Sequence, residues 1–550
     1  MSVLQPTNYT KLKKELRDMY QIVTNMESHL YSEAFVITAC SLVLLVLYSI
    51  LRIIYSIWWK PIYTEKLLRR QGIRGTSHKL LRGDMGEMRR VTMQALSKPM
   101  SLNHRIAPRA VPFFHDMVQR YGKVCMSWTE TRPRLIIGDS ELIRTILADK
   151  NGHFVKTPQN PLVNLLQQGI SSLEGEKWAI RRRLMTPAFH LDKLKGMLPA
   201  FSESCSNLID RWTKLTSTTP QGTGEVDVAP ELQILTTDVI SRTAFGSSYD
   251  EGKKLFQLQK EQTVLVLEAY YNIFYIPGLR FVPTRKNRRR YELDREIKAI
   301  LRDLIRKKEQ EMQNKESGDD DDDDVDLLGL LLQCKDGSNN CMTIDDVLEE
   351  CKLFYIAGQE TSASLLTWTM VVLSMHPDWQ QKAREEVLLL CGKRAPDFNA
   401  INHLKIVTMI LNEVLRLYPP VTVLLRYTKQ ETSIGGLSIP AGVETLLFVL
   451  SLHLDPKCWG DDAEQFNPER FSEGVARSSK DNHNQTVFYP FGWGPRICLG
   501  QNFAMIEVKM ALAMILQHFS FELSPSYTHA PCVGLTLQPQ YGAPLILHRL

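Results

Sequence analysis

Phe491–Gly500 reads FGWGPRICLG, a single cysteine set among three glycines, an arginine and a tryptophan. Directly downstream, GQNFAMIEVKMALAMILQHF repeats apolar residues at helical spacing, so Cys498 stands just ahead of a predicted amphipathic helix. A helix N-terminus offers free amides and partial positive charge, which favour a thiolate over a thiol. Gly492, Gly494 and Gly500 allow a tight turn that brings backbone amides toward the sulfur. The ten cysteines are otherwise scattered without a CxxC pair. That pattern argues against a disulfide framework or a zinc module and suits a cytosol-facing protein.

Working upstream, FNPERF places Arg470 in a segment without helical or strand period, and LNEVLRLYPP puts Glu413 and Arg416 three residues apart on one helix face. Taken alone, that pair is an ordinary exposed ion pair of a few tenths of a kcal/mol. A carboxylate shared by Arg416 and Arg470 would pin the loop to the helix. Further upstream, TIDDVLEECKLFYIAGQETSASLLTWTMVVLSM reads as one helix, capped by Thr343 and Asp346 and closed before Pro377. Its middle is unusual. Gly358 costs roughly 1 kcal/mol relative to alanine there, and the Thr361 hydroxyl can bond back to the Ala357 carbonyl and bend the helix. The residues permit either a notch lined by Thr361, in which Glu360 and Thr361 relay protons, or a simple kink with an outward acid.

AGQET, EVLR, PERF and FGWGPRICLG, in that order, resemble the signatures of the cytochrome P-450 family, and WAIRRR (Trp178 to Arg183) resembles its upstream Trp-x-x-x-Arg helix. The resemblance covers about residues 60 to 550. It implies a mainly α fold, a large helical domain with a small β portion. It implies haem b as cofactor, with Cys498 as the axial thiolate of the iron, O2 as co-substrate, and electrons from NADPH delivered by a reductase. Phe491 and Gly492 would shape and shield the proximal loop. Trp178, Arg182, Arg426 and Arg496 would meet the haem propionates, since indole N–H and guanidinium suit carboxylates. Glu360 and Thr361 would form the proton relay of a monooxygenase. Two other readings keep the haem but not the chemistry: an isomerase or dehydratase that needs no reductase, and a non-catalytic haem-binding membrane protein.

The rest of the chain fits a large globular protein, at 44% hydrophobic and 23% charged residues. A net charge of +5 is too mild to argue for nucleic acid. Asp319 to Asp324 and Asp326 contribute −7, so the remainder carries +12, which suits a membrane surface or an acidic partner such as NADPH-cytochrome P-450 reductase. The aspartate run itself reads as a solvated linker, since no EF-hand spacing accompanies it. Strands are expected at RLIIGD (134–139) and from Val421 to Leu450; Leu184–Trp212, Arg290–Lys315 and Ala504–His518 read as helical segments.

Ala34–Leu51 holds 18 uncharged residues, close to the roughly 20 that cross a bilayer. Arg52, Lys60, Lys66, Arg69, Arg70 and Arg74 follow it, whereas residues 1–33 carry four basic and four acidic side chains. This predicts a single-pass anchor with the catalytic part in the cytosol. The expected division is an extension at 1–33, an anchor at 34–59 and a catalytic domain at 60–550. Residues 1–25 are expected to be an upstream extension before Met26, and Asn8 in NYT would then be a luminal glycan acceptor. Only Pro61 stands where a Pro-Pro-Gly-Pro hinge follows the anchor in related proteins. The family resemblance implies the endoplasmic reticulum membrane. Phe354, Ala357, Leu162 to Leu166, Val421, Val423, Leu424 and Val533 to Leu535 are expected to line a roomy apolar pocket. FYPFGWGPRICLGQNFA, HPDWQQKAREEV and FSFELSPSYTHAP resemble the plant group that oxidises terpenoids, iridoids and plant hormones, which implies a lipophilic small-molecule substrate.

Overall fold

The computed structural model describes residues 6–158, 161–166, 168–217, 220–247, 249–271, 282–315, 326–336, 342–479, 485 and 487–550. The aspartate run at 319–324 lies outside them. Two compact units separate at residue 66, Met1–Lys66 and Leu67–Leu550.

In the first unit, Pro6–Ile54 is one helix, continued by a π-helical turn over Tyr55–Trp59. The apolar stretch predicted at Ala34–Leu51 falls inside the one segment, among the described residues, that is long and apolar enough to cross a membrane. None of its apolar window is buried. Side chains such as Leu42, Leu44, Leu45 and Leu51 stay open along it.

The second unit is built around the Ile344–Met375 helix, called the central helix below. It opens with the predicted capping box, Thr343 accepting from the Asp346 N–H and Asp346 from the Thr343 N–H. Its apolar residues point every way because helices pack around it: Val228–Phe245, Lys405–Leu417 and Gln501–His518 all touch it. The last of these was expected to be amphipathic. Instead Phe503 and every residue from Ile506 to Gln517 except Lys509 are buried, because the helix crosses the core rather than its surface.

Leu184–Trp212 does not form one helical segment. The first helix ends at Met185, a 3-10 turn covers Thr186–Phe189, a short helix Leu191–Gly196 follows, and Leu198–Thr216 starts afresh. Pro187 and Pro199 lack the N–H that a continuous helix needs, and each sits where a new segment begins.

Arg132–Ile137 lies in a six-stranded sheet, antiparallel to Val124–Thr129 and parallel to Glu444–Leu447. Leu424–Thr428 pairs antiparallel with Glu444–Leu447, which fixes the register of Arg426 opposite Thr445. Asp139 ends RLIIGD not as strand but as the N-cap of the next helix, accepting from the Leu142 N–H.

Glu413 and Arg416 are not an exposed pair. Both are fully buried, and the guanidinium meets the carboxylate through two bonds of 2.7 Å. Arg470 approaches the same carboxylate at 3.5 Å and the Asn467 N–H donates to it at 2.9 Å, so the loop is pinned to the helix as expected.

Three histidines are buried neutral. Burial holds His104 and His453 down at about 3 and His529 at about 4, against an ordinary value of 6.5. Between pH 6.5 and about 4 the unfolded chain gains protons that the folded chain refuses. Stability therefore falls as the pH drops through that window, by up to about 1.4 kcal/mol per unit for each histidine. Urea midpoints at pH 7 and pH 5 check this; equal midpoints would contradict it.

Candidate active site

Cys498 lies two residues ahead of the Gln501–His518 helix, whose N-cap is Gly500. Its N–H donates to the Phe491 carbonyl at 2.9 Å, closing the loop. The glycines do different jobs. Gly492 and Gly494 both turn at positive φ, 73° and 71°, and a Cβ on Gly494 would in addition come 2.3 Å from the Leu147 carbonyl oxygen, so two backbones approach closely there. Gly500 has an ordinary φ of −89°, and its amide contributes by bonding the sulfur. Burial pushes the Cys498 thiol up, against the Gly500 amide and Arg182, which both favour the thiolate. Yet the side chain keeps accessible surface. The sulfur is thus surrounded by protein atoms and still reachable by a ligand.

The central helix shows the same behaviour at AGQET. Ala357 is exposed and Gly358, Glu360 and Thr361 are partly so, inside a helix whose other residues from Val347 to Leu373 are almost all buried. The Thr361 hydroxyl donates to the Ala357 carbonyl at 2.7 Å, as expected. The Glu360 carboxylate accepts from Gln538 at 2.5 Å and from Thr536 at 3.3 Å. Burial raises its pKa against those two bonds and the charge of Lys260. Gly358 carries a correction. A Cβ there would lie 2.8 Å from Ile240 Cδ1, so the glycine lets the Val228–Phe245 helix close onto the central helix. Cost and compensation are both explained by packing.

Near the cysteine loop, cations gather. Arg496 stacks over the Trp178 indole at 4.1 Å, donates to the Leu173 carbonyl at 2.8 Å and pairs with Glu174. Arg182 donates to the Ile497 carbonyl at 2.9 Å, bracing the loop. Arg426 is buried, donates to the Leu425 carbonyl at 2.9 Å, and lines a cavity of about 880 Å³ with Glu174, Trp178, Trp493 and Arg496. It also lines a second cavity of about 520 Å³ that Lys156 shares. Burial and the charges of Arg426 and Arg496 hold Lys156 down at about 7, with Glu174 opposing. Burial and Arg496 hold Arg426 down at about 10. Glu174 is the carboxylate that opposes the downward shift at Lys156, Arg426 and Arg496 alike.

Most of the expected pocket residues line space. Val163, Leu166, Val423, Leu424 and Leu535 face the 520 Å³ cavity, and Val421 and Val533 face a smaller one of about 200 Å³. Phe354 does not: it stacks on Phe189 at 5.9 Å within the core. Lys156, Glu174, Thr536 and Gln538 were not anticipated. Each is an isolated polar residue in a segment without period, so only its distant partners reveal it.

The family described as Cytochrome P450 matches residues 104–541. The chain belongs to that family. A P450 named Cytochrome P450 CYP72A616, from Paris polyphylla, is 51% identical over 90% of this chain and 95% of its own. The 7-deoxyloganic acid hydroxylase of Catharanthus roseus is 45% identical over 92% of this chain and 97% of its own. Among solved structures, retinoic acid bound cyanobacterial CYP120A1 shares the fold with a TM-score of 0.71, at 23% identity, over 87% of this chain and 99% of that one. The P450 fold of mainly α architecture and the monooxygenase class are therefore established.

P450 membership implies haem and O2, and the donor set fits haem. A soft sulfur ligand with accessible surface lies just ahead of a helix N-terminus, and Arg426 and Arg496, whose charges both lower the pKa of Lys156, line one cavity with Glu174, an excess of cations that suits two propionate charges.

Proposed function

We propose that this P450 is a membrane-anchored monooxygenase that inserts one atom of O2 into a lipophilic small molecule of terpenoid or hormone-like type. The observation that carries the reading is an accessible Cys498 together with accessible Ala357, Gly358, Glu360 and Thr361 on an otherwise buried helix. The relatives' names support a hydroxylase of plant metabolites, one of them acting on 7-deoxyloganic acid.

When bound, haem supplies the redox centre at which O2 is activated. Cys498 would hold the iron, and the Gly500 amide would keep the sulfur anionic. Lys156, Trp178, Arg426 and Arg496 would hold the propionates, and Arg182 would brace the cysteine loop. Phe491 and Gly492 would close the proximal side. Overall the reaction consumes substrate, O2, NADPH and a proton, and releases alcohol, water and NADP+. Two protons must reach the oxygen that leaves as water. Glu360, with its raised pKa, would supply them and Thr361 would deliver them, its hydroxyl already oriented by Ala357. Electrons would come from NADPH-cytochrome P-450 reductase drawn to the basic catalytic domain.

We further propose residues 1–33 as extension, 34–59 as anchor and 60–550 as catalytic domain, with single-pass insertion in the endoplasmic reticulum and the catalytic domain in the cytosol. The bare apolar helix supports the anchor, and the cations after it support the orientation.

Turnover of plant metabolite extracts by microsomes containing this protein should require both NADPH and the reductase; product formed without them would defeat the monooxygenase reading. Thr361→Ala should keep NADPH consumption while product per NADPH falls sharply and peroxide accumulates, because a positioned proton-transfer group is lost. Unchanged coupling would remove Thr361 from the relay.

A further inference from the structure

One wall of the 520 Å³ cavity stands apart from the main core. Leu166, Val266 and Ile356 form a separate apolar cluster, with Val163 and Leu535 packed against it. Four of these five residues line the cavity. Apolar contact is non-directional, so a cluster this small does not by itself fix where the Val163–Leu166 loop sits.

What does fix it is charge buried in the central helix. Lys352, one turn before Ile356, is completely buried. Its ammonium donates to the Leu165 carbonyl at 2.8 Å and to Asp294 at 2.8 Å, and lies 3.4 Å from Glu349. Its own carbonyl accepts from Gln259 at 3.3 Å. Lys298 pairs with the same two carboxylates at 3.1 and 3.2 Å, so the four charges balance. One residue thereby joins the loop to the Arg285–Lys315 helix, through Asp294, and to the Tyr249–Tyr271 helix, through Gln259. That second helix carries Val266.

A second staple lies further along the same loop. The Ile170 N–H donates to buried Glu350 at 2.9 Å, and Arg181 pairs with Glu350 at 2.9 Å. Gly169, at a φ of 57°, fits because a Cβ would come 2.6 Å from the Glu350 carboxylate.

We propose that Lys352 is a positioning residue for the substrate cavity: it tethers the Val163–Leu166 wall and so sets how readily a bulky ligand enters and leaves. A lysine with no exposed surface is a costly way to fill space. Its three directional partners specify one loop position, and an apolar side chain would leave the Leu165 carbonyl and one carboxylate unmatched.

The proposal deepens the haem reading only in its choice of probe, and the test separates the two. Full-length protein with haem is titrated with imidazole, which is small, and with ketoconazole, which must fill the cavity; amide hydrogen exchange is followed in parallel. Lys352→Met should keep the reduced carbon monoxide band and bind imidazole within about twofold of wild type. Ketoconazole should dissociate about tenfold faster, the cost of unsatisfied buried partners. Exchange should rise at 163–172 and stay unchanged at 405–417. If either ketoconazole release or exchange at 163–172 matches wild type, the tether is overturned. A wild type without the carbon monoxide band would instead defeat the haem reading, and exchange alone would then decide the tether. Should Lys352→Met lose a band that wild type shows, Asp294→Asn takes its place under the same criteria, since it weakens the lysine's hold while keeping the charge on the lysine.

Discussion

Cys498→Ala should give a folded protein with no red-shifted carbon monoxide band and no detectable turnover. The expectation follows from where the sulfur is and what it holds. The loop keeps its shape through backbone bonds, the Cys498 N–H to the Phe491 carbonyl and the Arg182 guanidinium to the Ile497 carbonyl, and neither involves the thiol. The side chain is accessible rather than packed in the core, so its loss should change the stability of the haem-free protein by less than about 1 kcal/mol. The chemistry, by contrast, has no substitute. Among the described residues, no other group of His, Cys, Asp and Glu is arranged to hold a metal. Buried thiols such as Cys205 and Cys351 are pushed up by burial and lack any accessible surface to offer. The absorbance spectrum and a urea titration of the same sample check both halves. A mutant that keeps the band would remove Cys498 as the iron ligand, and one that unfolds would show that the thiol is structural.

Arg416→Met should cost about 3–5 kcal/mol, the usual result of leaving a buried charge without its partner. Besides its two bonds to Glu413, the guanidinium donates to the carbonyls of His453, Ala463 and Gln465 at 2.8, 2.5 and 3.0 Å. It also lies 5.1 Å from the Trp459 ring centroid. Methionine fills the volume and satisfies none of these. Against a total stability of about 5–15 kcal/mol, such a loss should largely abolish haem-loaded protein. Arg416→Lys should rescue little, because an ammonium cannot fork across both carboxylate oxygens. The surface pair Arg477–Glu473, with both side chains about two-thirds exposed, is the control. Removing it should cost less than about 1 kcal/mol. Denaturant midpoints of the three variants test the contrast; a small loss for Arg416→Met would mean that the buried pair is no better than the exposed one.

That contrast also marks how far a linear reading reaches. EVLR has the spacing of any surface ion pair, and nothing local in it says that both charges are buried. The capping box at Thr343 and Asp346 lies within four residues and was legible at once. The turn at Gly435–Gly436, which joins Thr432–Ile434 to Leu437–Ile439 with positive φ at both glycines, is equally local. The break of Leu184–Trp212 was also written locally, in Pro187 and Pro199, but the apolar spacing masked it.

Glu360 was legible as an acid in an apolar helix. Its holders, Thr536 and Gln538, lie more than 170 positions away. Gly358 was legible as a cost, whereas its compensation is Ile240 on another helix. Lys156 had no local sign at all, and Lys352 stood unremarked inside an apolar run.

The sequence by itself determined the family, the cysteine motif, most of the helical and β segments and the apolar N-terminal helix. Each depends on residues within a turn or two of one another, where period, caps and turn chemistry act directly. Only the tertiary structure decided which charges are buried and paired, which cations share Glu174, and which residues hold the cavity wall. Those properties arise when segments far apart in the chain exclude water together, and electrostatic and hydrogen-bond energies depend on that exclusion more than on residue type.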